Sequence, residues 1–321
     1  YFRGHNPEGR SIRELFGELE PIRAEYRDRD ARVKLLDRQG LEGCYLFPTL
    51  GVGMEESLKH DPEALVAAFR AFNRWLEEDW GFAYMDRIYG APYITLVDPD
   101  AACAELDRVL DRGARLVVMR SAPVALPTGS RSLGDRMFDP FWARVNEAGI
   151  TVAFHSGDAG YAKYAADWGE SDEMEAFRYA PLRACLSATP IMDTVAALVC
   201  HGVFARHPRV RVATIESGSD WMPVLIKKLE KAYGQMPMAF QEDPVETLRR
   251  HVWVSPYYED DIAGLRDRIG ADHVLFGSDY PHAEGLAEPT DFVKDLQGFS
   301  PEEVRLAMHD NARSLLEPRP V

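Results

Sequence analysis

No stretch of this 321-residue sequence approaches the ~18 consecutive apolar residues of a membrane-spanning helix. Positive charge is also scarce: 37 Lys and Arg stand against 52 Asp and Glu, a formal net charge of −15 at pH 7. That deficit argues against a nucleic-acid partner and against an anionic membrane surface. It speaks mainly to solubility. Cysteine is sparse too. Cys44, Cys103, Cys185 and Cys200 form no C-x-x-C pair and no zinc-ribbon spacing. They read as reduced, buried thiols of a cytoplasmic protein. No G-x-S-x-G elbow occurs, which removes the serine hydrolases built on it. No Gly-rich phosphate loop follows an early strand, which removes an open dinucleotide-binding sheet. The opening residues, YFRGHNPEGR, lack the apolar core of a secretory leader and do not begin with Met. The chain is therefore expected to start inside a longer one.

What is present is a recurring alternation. Short, nearly continuous apolar runs lie at 43–49, 93–98, 115–121, 150–158, 210–218, 251–258 and 273–279. Such runs fit parallel strands buried on both faces. Helical patterns separate them at 62–80, 100–113, 139–149, 190–208, 220–236 and 260–270, and a last one closes the chain at 300–316. That closing helix starts on a capping box, Ser300 with Glu303 three residues on. Alternating strand and helix predicts an α/β fold with a parallel sheet. A (β/α)8 TIM barrel needs eight strands and only seven are visible. Residues 1–30 are heavily charged and hold no strand-like run. The expected register therefore places strand 1 upstream of Tyr1 and makes the visible runs strands 2 to 8. The whole of 1–321 reads as one domain. Its segments 50–92 and 159–189 exceed ordinary connection lengths and are expected as insertions at the catalytic face.

Polar residues at the strand ends carry the chemistry. Period-two alternation puts His155 with Ala153, Glu216 with Val212 and Thr214, and Asp279 with Leu275 and Gly277. With Phe154 and Phe276 turned to the helices, His155, Glu216 and Asp279 are expected to point into the barrel at its carboxyl-end mouth, where barrel enzymes place their catalytic groups. Imidazole and carboxylates converging there suit a divalent metal with an open position. Each residue also has a plain reading: a structural histidine at a strand end, a turn at Ser278–His282 punctuated by Pro281, or a loop carboxylate before a helix. Arg120 ends a strand and is a candidate fork donor to a substrate carboxylate, or the partner of an acidic loop. Trp221 reads as packing or as a pocket wall. Ser156 faces away from a nucleophile's position, and His201 and His207 read as cations at helix C-termini.

The motifs VAFHSGD, GVFARHPRVRVATIESGSDWMP, LFGSDYPHAEG and HDNARSLL together resemble the amidohydrolase-2 family over about residues 30–317. This is the metal-dependent TIM-barrel group that includes aminocarboxymuconate semialdehyde decarboxylase. The resemblance implies one divalent metal, zinc first with manganese or iron as alternatives. It implies His155 and Asp279 as metal ligands and a homodimer as the assembly. It also implies an H-x-H or D-x-H pair on strand 1, which this chain does not show. His5 is neither strand-like nor paired. In the decarboxylase branch the position of Glu216 is a histidine, so the reaction class stays open. The leading expectation is a metal-dependent hydrolase of a small-molecule ester, lactone or amide, with Glu216 or Asp279 handling protons and His282, Arg120 and Trp221 orienting substrate. The alternatives are a non-oxidative decarboxylase of an aromatic or unsaturated acid, and a non-catalytic barrel that has lost its metal.

Overall fold

Among the described residues six parallel strands follow one another in chain order: β1 (Cys44–Leu46), β2 (Ile88–Gly90), β3 (Leu116–Arg120), β4 (Thr151–His155), β5 (Arg211–Ile215) and β6 (Val252–Val254). The computed structural model describes residues 6–11, 14, 21–48, 51–170, 181–186, 189–282 and 285–320. His5, and residues 171–180, 187 and 188 of the expected 159–189 insertion, lie outside them. β1 pairs with β2, and β3, β4, β5 and β6 pair in that order. Single parallel bridges complete the series: Tyr93 to Val118 joins the chain after β2 to β3, and Val254 to Val274 adds a seventh segment after β6. Apart from β2, which precedes the expected run at 93–98, these segments fall in the runs expected for barrel strands two to eight, and the fold is a TIM barrel.

The run at 93–98 makes only one bridge, for a local reason. The Tyr93 N–H donates to Asn73 Oδ1 (2.8 Å) and Asn73 Nδ2 donates to the Tyr93 carbonyl (2.9 Å). A side-chain amide thus replaces a ladder neighbour, and β1 is paired instead with the preceding Ile88–Gly90. Asn73 has no exposed surface, so these bonds form where unmet donors would be expensive.

Helices α1 (Arg29–Gln39), α2 (Gly51–Ser57), α3 (Pro62–Asp79), α4 (Pro99–Asp111), α5 (Asp139–Ala148), α6 (Pro190–Cys200), α7 (Trp221–Gln235), α8 (Pro244–His251) and α9 (Ile262–Ile269) lie between or before the strands. Their starts follow the sequence. Asp61, Asp98 and Asp261 cap α3, α4 and α9 through the backbone N–H three residues on. Gly149, at φ 65°, ends α5. The capping box forms, with Ser300 N–H donating to Glu303 Oε2 (2.7 Å) and Glu303 N–H to Ser300 Oγ (3.3 Å). The closing helix is not continuous α: a π-helical turn, Leu306–Asp310, separates Pro301–Arg305 from Asn311–Leu315. Segment 50–92 is not one insertion. Only α2 sits over the mouth, bound there by Asp158 N–H to the Val52 carbonyl (3.1 Å). By contrast α3 packs as an ordinary barrel helix, with Phe69 stacked on Tyr93 at 4.2 Å.

Outward strand residues Val152, Phe154, Val212 and Val254 pack with Phe141, Trp142 and other helix residues into the main core. Each such large side chain contributes about 1.5–3 kcal/mol on burial. Ala213, Trp253 and Leu275 form a second cluster with Leu315 of the closing helix. Among the described residues no strand pairing joins the Val274 segment to β1. The closing helix reaches both: Phe276 N–H donates to the Ala307 carbonyl (3.1 Å), and Tyr45 Oη donates to the Ala312 carbonyl. All four cysteines are free; Cys103 is buried as expected, but Cys44 is half-buried and Cys185 and Cys200 are exposed.

Candidate metal centre at the barrel mouth

His155 is the last residue of β4, in register with Arg120 on one side and Ile215 on the other. Its Nδ1 lies 2.7 Å from the Ser156 carbonyl. A carbonyl only accepts, so Nδ1 carries a proton, and Nε2 is the nitrogen turned to the mouth. The Phe47 ring, 5.3 Å away and tilted by 37°, packs beside the imidazole.

Glu216 reaches the same place by a route that alternation does not predict. The register pairs Ala153 with Ala213 and His155 with Ile215. Ala213, not Thr214, therefore shares the inward face, and Thr214 is fully buried on the other. The expectation that Glu216 points inward with Val212 and Thr214 fails as a parity argument. Glu216 instead takes a left-handed backbone, φ 51°, and this turn swings the carboxylate back over the strand end. Its Oε2 lies 3.0 Å from His155 Nε2.

Asp279 follows the inward residues Leu275 and Gly277 and is also left-handed, φ 52°. Gly277 lies close beneath it against Ser255, whose Oγ would have to turn aside for a Cβ there, 2.2 Å away. The turn from Asp279 closes with His282 N–H on the Asp279 carbonyl (2.8 Å), and its Tyr280–Pro281 peptide is cis. His282 Nδ1 lies 3.1 Å from Asp279 Oδ1. Glu216, Asp279 and His282 each offer one ligand atom within 4.8 Å of the others. His155 joins this group through Glu216. His282, expected to orient substrate, therefore stands among the potential ligands.

The donor set fits a divalent metal. With Nδ1 held by the Ser156 carbonyl, the imidazole of His155 and the carboxylates and imidazole of Glu216, Asp279 and His282 are the nitrogen and oxygen donors such an ion takes. The carbonyl bonded to Nδ1 is the kind of outer contact that orients a ligating imidazole.

Arg120 is buried, and its guanidinium pairs with Glu56 of α2. Burial raises the Glu56 carboxyl, but Lys59 and Arg120 outweigh it and leave it below the usual range. Its neighbour Glu55 is buried and accepts from Thr95 Oγ1 at 2.9 Å. Burial pushes the Glu55 carboxyl up to about 7 against the opposing pull of Arg120. Trp221 is buried in the main core, and its Nε1 donates to the Gly218 carbonyl (2.9 Å) beneath the Glu216 loop. His201 and His207 are C-cap residues bonded to Ser132 and Asp139. Glu55, Glu56, Tyr257 and Asp260 were not among the expected site residues. The one signal available was the acidic repeat E-E and E-D-D beside a predicted strand end.

A parallel barrel with imidazoles and carboxylates gathered at the strand carboxyl ends defines a metal-dependent TIM-barrel enzyme. A family model described as Amidohydrolase matches residues 38–317, and the chain belongs to the amidohydrolase family. Its members are metal-dependent hydrolases or carboxy-lyases, and this chain is an enzyme of that class. It is similar to an amidohydrolase from Mycobacterium avium subsp. paratuberculosis K-10, at 48% identity and TM-score 0.92, over 98% of this chain and 82% of that one. It has the fold of a dihydroxybenzoic acid decarboxylase from Polaromonas sp. JS666 with bound manganese and 2-nitroresorcinol (18% identity, TM-score 0.68, 94% of this chain and 88% of that one). The same holds for a 5-carboxyvanillate decarboxylase from Novosphingobium aromaticivorans complexed with manganese (18% identity, TM-score 0.66, 98% and 85%). No helix of the described residues is long and apolar enough to cross a membrane.

Proposed function

We propose that the chain is a metal-dependent hydrolase that cleaves an ester, lactone or amide of a small molecule. The observation that carries this reading is the placement of Glu216 Oε2 at 3.0 Å from His155 Nε2, beside Asp279 and His282. Glu216, Asp279, His282 and His155 would hold the ion, zinc first with manganese or iron as alternatives. When bound, a divalent metal supplies Lewis acidity toward a substrate carbonyl and toward water. Glu216 and Asp279 take the proton of the attacking water and deliver it to the leaving group. His155 is kept from rotating by the Ser156 carbonyl, and the Phe47 ring shields its flank.

Charge at the mouth favours hydrolysis over decarboxylation. The guanidinium of Arg120, the natural fork donor to a substrate carboxylate, is already taken by Glu56. The second reading, decarboxylation of an aromatic acid, draws on the fold shared with the manganese-bound decarboxylases. In that reading the metal, rather than Arg120, would hold the substrate carboxylate. We take the whole of 1–321 as one catalytic domain of a cytoplasmic homodimer acting on a small molecule.

The test is a panel of neutral aryl esters, lactones and amides, run beside dihydroxybenzoates and carboxyvanillate monitored for CO2. Hydrolysis of a neutral substrate that is lost in Glu216→Gln supports the proposal. CO2 release with no hydrolysis establishes the second reading instead.

A further inference from the structure

The left-handed turn at Glu216 is a strained feature for a residue with a side chain. It persists only if its surroundings hold it. The loop after β6 supplies the holding groups. Tyr257 Oη donates to the carbonyl of Glu216 itself at 2.9 Å. Asp260 Oδ2 accepts from the backbone N–H of Ser219 (2.6 Å), from Ser219 Oγ (2.9 Å) and from the backbone N–H of Tyr257 (3.1 Å). One carboxylate thus ties the two loops together. Gly218 lets them meet: it is also left-handed, φ 59°, and a Cβ there would stand 2.9 Å from two carbons of the Tyr257 ring and 3.3 Å from Asp260 Oδ2. From below, Trp221 Nε1 holds the Gly218 carbonyl.

We propose that Tyr257, seated by Asp260, is a positioning residue that holds the Glu216 carboxylate against His155 and so builds the metal site. Tyr257 binds only the backbone of Glu216, so its effect reaches the ion through that side chain. Burial and the nearby carboxylates of Glu216, Asp260 and Asp279 keep the phenol well above its usual range. The proposal rests on the reading that Glu216 faces the metal.

The experiment compares the whole chain with Tyr257→Phe, Glu216→Gln and the double variant, using Mn2+ alone as the probe and electron paramagnetic resonance of free Mn2+ as the readout. Loss of the hydroxyl is expected to weaken Mn2+ binding about tenfold, the lower end of the effect of an outer-shell contact. In the Glu216→Gln background the same substitution is expected to change binding less than about twofold, because the group it positions is gone. A structural defect would act equally in both backgrounds, and that result overturns the proposal. So does unchanged binding in Tyr257→Phe while Glu216→Gln binds weakly. If Glu216→Gln binds Mn2+ like the parent, or the parent binds none, the failure is of the metal reading. A crystal structure of Tyr257→Phe reads the clamp without metal. The proposal expects the 3.0 Å contact between Glu216 and His155 to be lost, and an unmoved carboxylate overturns it.

Discussion

Replacing Glu216 by glycine and, separately, by alanine divides its catalytic role from its conformational one. Both substitutions remove the carboxylate that faces His155, so both should lower hydrolysis by about 10²–10⁴-fold, the range of a lost general base. Their stabilities should differ. At φ 51° an alanine keeps the left-handed penalty of about 1–2 kcal/mol, and glycine does not. Glycine returns about 0.4–1 kcal/mol of that through its freer unfolded chain. The net is about 0.5–1 kcal/mol in favour of glycine. For a chain of this size 1 kcal/mol moves Tm by about 1–2 °C. Thermal unfolding of metal-free protein should therefore place the glycine variant about 1 °C above the alanine variant. In an ordinary helix or strand the order is reversed by about 0.5–1 kcal/mol. An alanine variant as stable as the glycine variant, or more so, would refute the argument that a strained turn sets the site.

Two further outcomes follow from buried groups near the mouth. Burial lifts the Glu55 carboxyl to about 7 from an ordinary 4.5, so the folded chain binds this proton more tightly than the unfolded one. Stability from this group is then greatest below about pH 4.5 and falls as pH rises to about 7. Glu55→Gln removes that slope, so the Tm of the variant relative to the parent should climb by a few degrees between about pH 5 and about pH 8. A constant difference would show that Glu55 is ionised throughout. Asn73→Ala strands the Tyr93 N–H and carbonyl and a bond to Glu105. A loss of about 3 kcal/mol, or about 3–5 °C in Tm, is expected, and a loss under about 1 °C would mean that water replaces the amide.

The barrel was legible because parallel strands buried on both faces must be nearly continuous in apolar residues, as 115–121, 150–158 and 210–218 are. Helix ends were legible where a local bond fixes them, at Asp98, Gly149 and Ser300. Long-range satisfaction was not. The Asn73 amide that ends the pairing of the 93–98 run lies 20 residues away in sequence. For the site, His155 and Asp279 could be read from position at a strand end. Glu216 does stand beside His155, but not by the alternation argued for it, since its parity is outward and its backbone is left-handed. Nothing in E-S-G-S-D announces that turn, because the bond that holds it comes from Tyr257. Arg120 was matched with an acidic loop as one of two readings, and Glu56 of α2 is that acid.

The central claim is that the cluster at the barrel mouth holds one metal ion. Metal content of protein expressed with added zinc or manganese tests it directly, in the parent chain and in the Asp279→Ala and His155→Ala variants. The account predicts about one ion per chain in the parent and close to none in Asp279→Ala, with His155→Ala also depleted. A parent without metal, or equal occupancy in all three proteins, would contradict it.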